Sequence, residues 1–232
     1  MPPATKSSSK SSEKEAHKIS LKGSAKEVSE FFQYAINSLL YQRGVYPPED
    51  FGPVKKYGLN MMVTLDDQVK AYIKKIMSQL SRWMQKSKIS KLVVVVTSKD
   101  TGEHIERWQF DVNVFNNDLA TKRTTVTVDD KENTAQTGAD RSSPPSEKTE
   151  QEIQQEIQSL FRQITASVTF LPMLDGNCTF NVLVYADEDS EVPLEWGDSD
   201  AKEVKNAEKV KLRSFSTNNH RIDTVVSYRL AD

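Results

Sequence analysis

The residues that most often carry catalysis or bind metals are few in this chain and lie far apart. Its three histidines, His17, His104 and His220, lack the close pairing that zinc sites and histidine-based catalytic sites use. Cys178 is the single cysteine, which excludes an internal disulfide and a zinc site built from several thiolates. No hydroxyl or thiol nucleophile has an evident base beside it. We therefore expect no catalytic residue, no metal site and no enzymatic activity.

The sequence also lacks two common ligand-binding patterns, a phosphate-binding loop and a calcium-binding loop. Phosphate-binding loops need clustered glycines, whose backbone amides can approach an anion closely. None of the eight glycines lies within four positions of another, which excludes such a loop and the nucleotide cofactors that it would hold. The acidic stretch at residues 187–191 lacks the spacing and the central glycine of an EF-hand calcium loop. We interpret it as a solvated loop that leaves a strand, and we expect no cofactor.

The composition is that of an ordinary globular protein. Of the 232 residues, 37% are hydrophobic and 28% are charged, and the formal net charge is −2, so the chain has no overall nucleic-acid signature. No apolar run approaches the roughly 20 residues that span a membrane, and no signal peptide is evident. Lysines spaced among serines near the N-terminus favour a solvated leader over a nucleic-acid-binding arm. We expect neither nucleic acid nor a membrane as partner.

Two stretches have too few apolar residues to join a core. Residues 1–18 are rich in Ser, Lys and Pro, which predicts a disordered leader. From Thr121 to Lys148 the only large apolar residues are Val126 and Val128, and neither flank of the stretch at 116–148 contains a complete set of core elements. We interpret this second stretch as a long surface loop inserted in one domain that spans residues 19–232.

Three helices are predicted from apolar residues at helical spacing. The first is expected to open at Ser24, with Glu27 completing a capping box. The second begins near residues 64–67 and carries Trp83 on its apolar stripe, which predicts that this side chain is buried. The third starts near Thr149, where Glu152 completes another capping box.

Five strands fill the remaining apolar segments. Residues 91–97 contain four consecutive valines, which suits a strand covered on both faces. Apolar residues alternate in its partner: Trp108, Phe110, Val112 and Val114. A third strand spans residues 179–185, and residues 210–217 and 222–230 flank a hairpin turn at Asn218-Asn219. Strands that follow one another along the chain pair antiparallel. The order of helices and strands therefore predicts an α+β fold with helices packed on one face of the sheet.

Several long strings resemble HORMA-domain proteins and follow one another in that family's order. They are EFFQYAINSLLYQRGVYP at 30–47, KYGL at 56–59, KLVVVV at 91–96, ERWQFD at 106–111, RQITASVTFLPML at 162–174 and VKLRSFSTNNHRIDTVVSYRL at 210–230. The resemblance covers about residues 19–230 except the long loop, and is strongest to family members of the spindle assembly checkpoint. The leader and the inserted loop are longer than the family pattern requires.

The resemblance implies a conformational switch. Such proteins have three helices packed on an antiparallel sheet and a mobile C-terminal hairpin, the safety belt. In the open form the safety belt covers the third strand's edge, and in the closed form it crosses the sheet and encircles a peptide that has taken its place. The implied peptide-binding edge is Thr179, Phe180, Asn181, Val182, Leu183, Val184 and Tyr185. The implied safety-belt residues are Trp196, Val210, Leu212, Phe215, Ile222, Val226 and Tyr228, with Trp196 as an expected anchor.

Partners follow from the same resemblance. They are a coiled-coil kinetochore protein of the checkpoint, the activator of the anaphase-promoting complex, a checkpoint kinase-like protein, a second copy of the chain in the other conformer, and an AAA+ remodelling ATPase with its HORMA adaptor. Capture of the activator would delay anaphase. Arg162, Gln163 and Phe170 match the family's pairing surface between open and closed molecules. The implied location is the nucleus, the kinetochore and the cytoplasm.

Two alternatives stay open from the sequence. The chain resembles, more distantly, HORMA adaptors of a translesion polymerase or of the meiotic chromosome axis, which would capture different peptides in the same way. The last hairpin is also consistent with two ordinary fixed strands, as in a scaffold domain without a switch.

Overall fold

The computed structural model describes residues 9–115, 148–194 and 196–230. The predicted surface loop, except Lys148, and the first eight residues of the predicted leader lie outside these residues.

Three α-helices are present among the described residues, as predicted: α1 (Ser9–Gln42), α2 (Asp67–Gln85) and α3 (Glu150–Ala166). The Thr149 capping box of α3 is confirmed, because Thr149 and Glu152 bond each other's backbone N–H groups. The predicted start of α1 at Ser24 is wrong. The helix already begins at Ser9 and includes the last part of the predicted leader, so Ser24 lies inside it and is buried.

Helix α1 packs at the centre of the molecule. The Phe31 ring lies 5.9 Å from that of Phe110 in the sheet, 5.3 Å from Phe161 of α3 and 4.6 Å from Phe215 near the C-terminus. Aromatic pairs at such distances each contribute about 0.5–1.5 kcal/mol beyond their buried area. One helix thus touches the sheet, another helix and the C-terminal segment through a single side chain.

A small hairpin between α1 and α2 was not predicted. It pairs β1 (Phe51–Lys56) with β2 (Leu59–Thr64). Its two turn residues have left-handed φ values, 52° at Tyr57 and 68° at Gly58, as a two-residue hairpin turn requires. The turn packs on α3, where Gln158 Nε2 donates to the Tyr57 carbonyl at 2.9 Å.

The main sheet is antiparallel and contains strands from both halves of the chain. Its strands are β3 (Ile89–Ser98), β4 (His104–Val114), β5 (Cys178–Ala186), β6 (Glu208–Lys211), β7 (Phe215–Ser216) and β8 (His220–Tyr228). The order is β5-β3-β4-β8-β6, and β7 also pairs with β8. The α+β prediction with helices on an antiparallel sheet is confirmed.

The central strand β3 is covered on both faces, as its four valines predict. Leu92 and Val94 belong to the core beneath the helices. Val93 and Val95 point to the opposite face and are also fully buried. A further layer must therefore cover the face that carries no helix.

None of the helices in the described ranges is long and apolar enough to cross a membrane.

Candidate peptide-binding site

Strand β5 has one unpaired edge. It pairs with β3 along one side, and no described strand lies along the other. Two hydrogen bonds show which residues face β3: Lys99 N donates to the Asn177 carbonyl at 2.8 Å, and Ser90 Oγ donates to the Tyr185 carbonyl at 3.4 Å. Because outward and inward backbone groups alternate in an antiparallel ladder, Phe180, Val182 and Val184 present theirs to the open edge.

The predicted peptide-binding edge lies entirely within β5. Phe180, Val182 and Val184 pack toward the helices. Asn181, Leu183 and Tyr185 point to the opposite face, and Thr179 pairs with Thr97 near the strand's start. The edge therefore offers apolar surface on the helix side and backbone donors and acceptors in its plane. An extended peptide uses both when it adds a strand.

A groove of about 340 Å³ lies beside this edge. Its walls are residues 182–188, which include the second half of β5, together with Trp83 at the end of α2, Val192 and residues 196–200. The Trp196 ring lies 5.1 Å from that of Trp83 in an edge-to-face arrangement, and Trp83 Nε1 donates to the Glu191 carbonyl at 3.1 Å. Trp83 is buried as predicted, and Trp196 fixes the start of the C-terminal segment against α2.

We call residues 187–230 the safety belt. From Trp196 it crosses the face of the sheet that carries no helix. Arg107 on that face holds it through the Ala201 carbonyl at 3.2 Å and the Glu203 carboxylate at 3.4 Å. The Arg107 side chain is only 4% exposed, and Val204 beyond it is buried. The safety belt is thus the layer expected over Val93 and Val95.

The safety belt ends on the sheet edge opposite to β5. There β8 pairs with β4 over its whole length, with Trp108 opposite Val226. Of the predicted safety-belt residues, Leu212, Phe215, Ile222 and Val226 are buried, and Val210 and Tyr228 are half-buried. A hairpin on the far edge, combined with a β5 edge that no described strand covers, matches the closed form that the family resemblance implies.

A buried polar cluster joins the safety belt to α1. Ser24 Oγ hydrogen-bonds both Thr217 Oγ1 and His220 Nδ1 at the hairpin turn. Burial lowers the pKa of His220 to about 4, so the ring is neutral at neutral pH. Sequence reasoning missed this cluster, since nothing in the spacing pairs a helix residue with one 196 positions away.

A second buried network, also missed, joins the end of α1 to β4. Arg43 Nε donates to Glu106 Oε2 at 2.8 Å, and Trp108 Nε1 also donates to Glu106. Burial raises the pKa of Glu106, although the Arg43 charge and the Trp108 hydrogen bond act in the opposite direction. Arg43 also donates to the Pro172 carbonyl, which fixes the exit of α3.

The residues predicted for pairing between two copies lie on α3 and just beyond it. Arg162 is exposed and Phe170 is 40% exposed, with its ring 6.2 Å from that of Tyr228 in the safety belt. Gln163 is half-buried, and its Oε1 accepts from Arg213 N at 2.6 Å. This surface therefore adjoins the safety belt instead of being separate from it.

No group of three or more acidic, histidine or cysteine side chains among the described residues is arranged to hold a metal ion.

Comparisons with known proteins agree on one family. The profile of the HORMA domain matches residues 24–220. The chain is 54% identical to the mitotic spindle checkpoint component mad2 of Schizosaccharomyces pombe, covering 91% of this chain and 95% of that protein. It is 43% identical to the human mitotic spindle assembly checkpoint protein MAD2A, covering 91% and 93%. A chain in the crystal structure of the mitotic checkpoint complex is 51% identical, with a TM-score of 0.74 over 90% of this chain and 99% of that one.

Proposed function

Because this chain belongs to the HORMA domain family, we propose that it acts in the mitotic spindle checkpoint by capturing a partner's peptide on the β5 edge. The names of its relatives and of its structural neighbour favour this function over the polymerase and meiotic alternatives. The protein works by binding, not by catalysis.

One observation carries the proposal: the safety belt already crosses the sheet while no strand in the described part of the chain pairs with the β5 edge beside it. A peptide that adds as a strand would pair with the outward backbone groups of Phe180, Val182 and Val184. Its side chains would meet the helix-side core and the groove lined by Trp83 and Trp196. Exposed strand edges readily accept another strand, which explains why this edge suits capture.

The energetics are compatible with a switch. Two positions of the safety belt can both be populated only if their free energies differ by a few kcal/mol. Micromolar capture of a peptide is worth about 8 kcal/mol, which is enough to select one position. The bound peptide would thus decide where the safety belt lies.

The proposed peptide donors are the checkpoint coiled-coil kinetochore protein and the activator of the anaphase-promoting complex. Capture of the activator, together with the kinase-like checkpoint protein, would delay anaphase. We further propose that a second copy of the chain pairs through Arg162, Gln163 and Phe170, and that an AAA+ ATPase with its HORMA adaptor reopens the closed form. The expected sites of action are the nucleus, the kinetochore and the cytoplasm.

Peptide titration of a strand-edge variant tests the proposal. Val184→Pro removes an outward N–H and places a ring on the open edge, but it takes no hydrogen bond from the β3 ladder. The matched control, Val184→Ala, keeps the N–H. We expect Val184→Pro to lose binding to peptides of the activator and the coiled-coil protein while Val184→Ala keeps most of it. Equal binding by both variants would falsify capture at this edge. Stronger binding of polymerase-derived peptides by the wild type would favour the alternative.

A further inference from the structure

Two backbone amides of the safety belt are bound by side chains of α3. Ser216 N donates to Glu156 Oε2 at 3.0 Å, and Arg213 N donates to Gln163 Oε1 at 2.6 Å. The two acceptors are seven residues apart on α3, which is two helical turns, or about 10.5 Å along one face. The two donors are three residues apart, which is about 10 Å in an extended chain. The helix and the safety belt therefore match in spacing at two points.

Both amides face away from the sheet. Their neighbours in the chain face β8 instead: Leu212 N donates to the Thr224 carbonyl at 2.9 Å, and Thr217 N donates to the His220 carbonyl at 2.8 Å. Among the described strands, β7 pairs only with β8, so its outer side has no strand beside it. Because Ser216 is buried, water cannot readily replace a partner of its N–H group. The side chain from α3 supplies that partner.

Lys148 strengthens the contact at Ser216. Its Nζ donates to Glu156 Oε1 at 2.5 Å and to Ser216 Oγ at 2.7 Å. Its backbone N–H donates to Asn218 Oδ1 at 2.9 Å. A carboxylate and an ammonium group thus bind the N–H and the hydroxyl of one serine, and such charge-assisted hydrogen bonds are about twice as strong as neutral ones. Both charged side chains are partly exposed, so water solvates them when the hairpin is elsewhere.

We propose that α3 takes the place of a neighbouring strand for the closed safety belt, and that Glu156 is the residue that holds the hairpin there. This inference rests on the proposed function and adds to it a positioning residue outside both the β5 edge and the β4–β8 ladder. β5 lies three strands away from β8, or about 14 Å. A hairpin at the β5 edge would be out of reach of Glu156, so this contact stabilises the closed position alone.

Peptide release tests this role. Glu156→Ala removes the acceptor of the Ser216 amide and the carboxylate that pairs with Lys148. We expect it to release a captured peptide of the activator about 10-fold faster than the wild type, equivalent to about 1.4 kcal/mol. Glu156→Gln keeps a carbonyl oxygen as acceptor and should restore release to within about 3-fold of the wild-type rate. Chasing a fluorescent peptide with excess unlabelled peptide measures these rates.

The matched control is Gln155→Ala, at the exposed position beside Glu156 on the same helix. It should release peptide at the wild-type rate. Thermal melts of the three variants establish that the fold is retained.

Amide hydrogen exchange tests the contact without any peptide. In the empty protein, Glu156→Ala should accelerate exchange at Ser216 several-fold and leave Val94 in the central strand β3 unchanged. Gln155→Ala should affect neither amide.

The possible failures are distinguishable. If the wild type captures no peptide, the proposed function fails, and exchange at Ser216 alone decides the inference. If the wild type captures peptide but Glu156→Ala releases it at the wild-type rate, Glu156 does not hold the hairpin and the inference is wrong. An unchanged exchange rate at Ser216 in Glu156→Ala overturns the inference as well.

Discussion

Ser24 in α1 and His220 at the start of β8 are joined by a buried hydrogen bond between Ser24 Oγ and His220 Nδ1. The second Ser24 contact, to Thr217, attaches the other side of the same hairpin turn. The hairpin turn itself closes through Thr217 N, which donates to the His220 carbonyl at 2.8 Å. The closed position of the safety belt therefore depends on polar contacts to α1 as well as on the β4–β8 ladder.

The first prediction is that acid lowers the stability of the fold through His220. Burial lowers the pKa of folded His220 to about 4 from its ordinary 6.5. Between these two values the unfolded chain binds a proton that the folded chain does not, so stability is full above pH 6.5 and falls as the pH drops toward 4. We expect His220 to account for a loss of about 2 kcal/mol between pH 8 and pH 5.

Urea unfolding at both pH values measures this loss. His220→Gln should remove that part of the pH dependence, and His104→Gln, at a half-buried histidine, should retain it. Identical pH dependence in the wild type and His220→Gln would contradict the prediction.

The second prediction concerns the C-terminal strand. Ending the chain after Arg221 removes most of β8, including Ile222 and Val226, which are fully buried. We expect peptide capture to be abolished because the safety belt can no longer close. The helical core should stay folded but melt at a lower temperature. Circular dichroism and peptide titration check both points, and ending the chain after Leu230 is the control that should bind normally. Undiminished binding by the shorter chain would be incompatible with a safety-belt mechanism.

The third prediction concerns the inserted loop. Its two ends are close, since Phe115 N donates to the Asn219 carbonyl at 2.8 Å and Lys148 N donates to the Asn218 side chain at 2.9 Å. Replacing residues 116–147 with a short Gly-Ser link should change the melting temperature by only a few degrees, because loop closure costs about 0.6 kcal/mol per doubling of length. A large drop in melting temperature would show that residues near Val126 and Val128 form part of the core.

The fourth prediction concerns pairing of two copies. Arg162→Glu reverses an exposed charge, which usually changes fold stability by no more than about 0.5 kcal/mol. Together with Gln163→Ala it should abolish self-association, as measured by sedimentation of the variant mixed with peptide-bound wild type. Because Gln163 accepts a hydrogen bond from Arg213 in the safety belt, Gln163→Ala changes both the pairing surface and the safety belt. Arg162→Glu alone changes only the pairing surface and should leave peptide capture intact. A persistent dimer would exclude this face as the pairing surface.

The sequence predicted those elements that can be recognised from residues a few positions apart. The Thr149 capping box, the Trp83 stripe and the alternation in β4 each lie within a few residues, and the structure contains all three. It did not predict the β1–β2 hairpin, because the turn uses a left-handed Tyr57 where a short polar residue or glycine is usual.

The contacts that the sequence did not predict join residues that are far apart along the chain. Arg43 and Glu106 are 63 positions apart, and each taken alone has the features of a solvated surface charge. The contact of the Tyr72 ring on α2 with the Phe180 ring on β5, 5.6 Å apart, exists only because α2 packs beside the edge of β5. The start of α1 was misplaced because a serine with a glutamate three positions later is also compatible with a helix interior. The candidate edge itself came from the family resemblance, with the alternation of β5 in agreement.

The attachment of the safety belt at both ends has a kinetic consequence. Trp196 is packed on Trp83 at one end, and β8 is paired with β4 along nine residues at the other. A strand enclosed between these attachments cannot leave sideways until one of them opens. The slow step of release is then local unfolding of the hairpin, not separation of the peptide from β5. Peptides of very different affinity would share a similar residence time, set by the fold that encloses them.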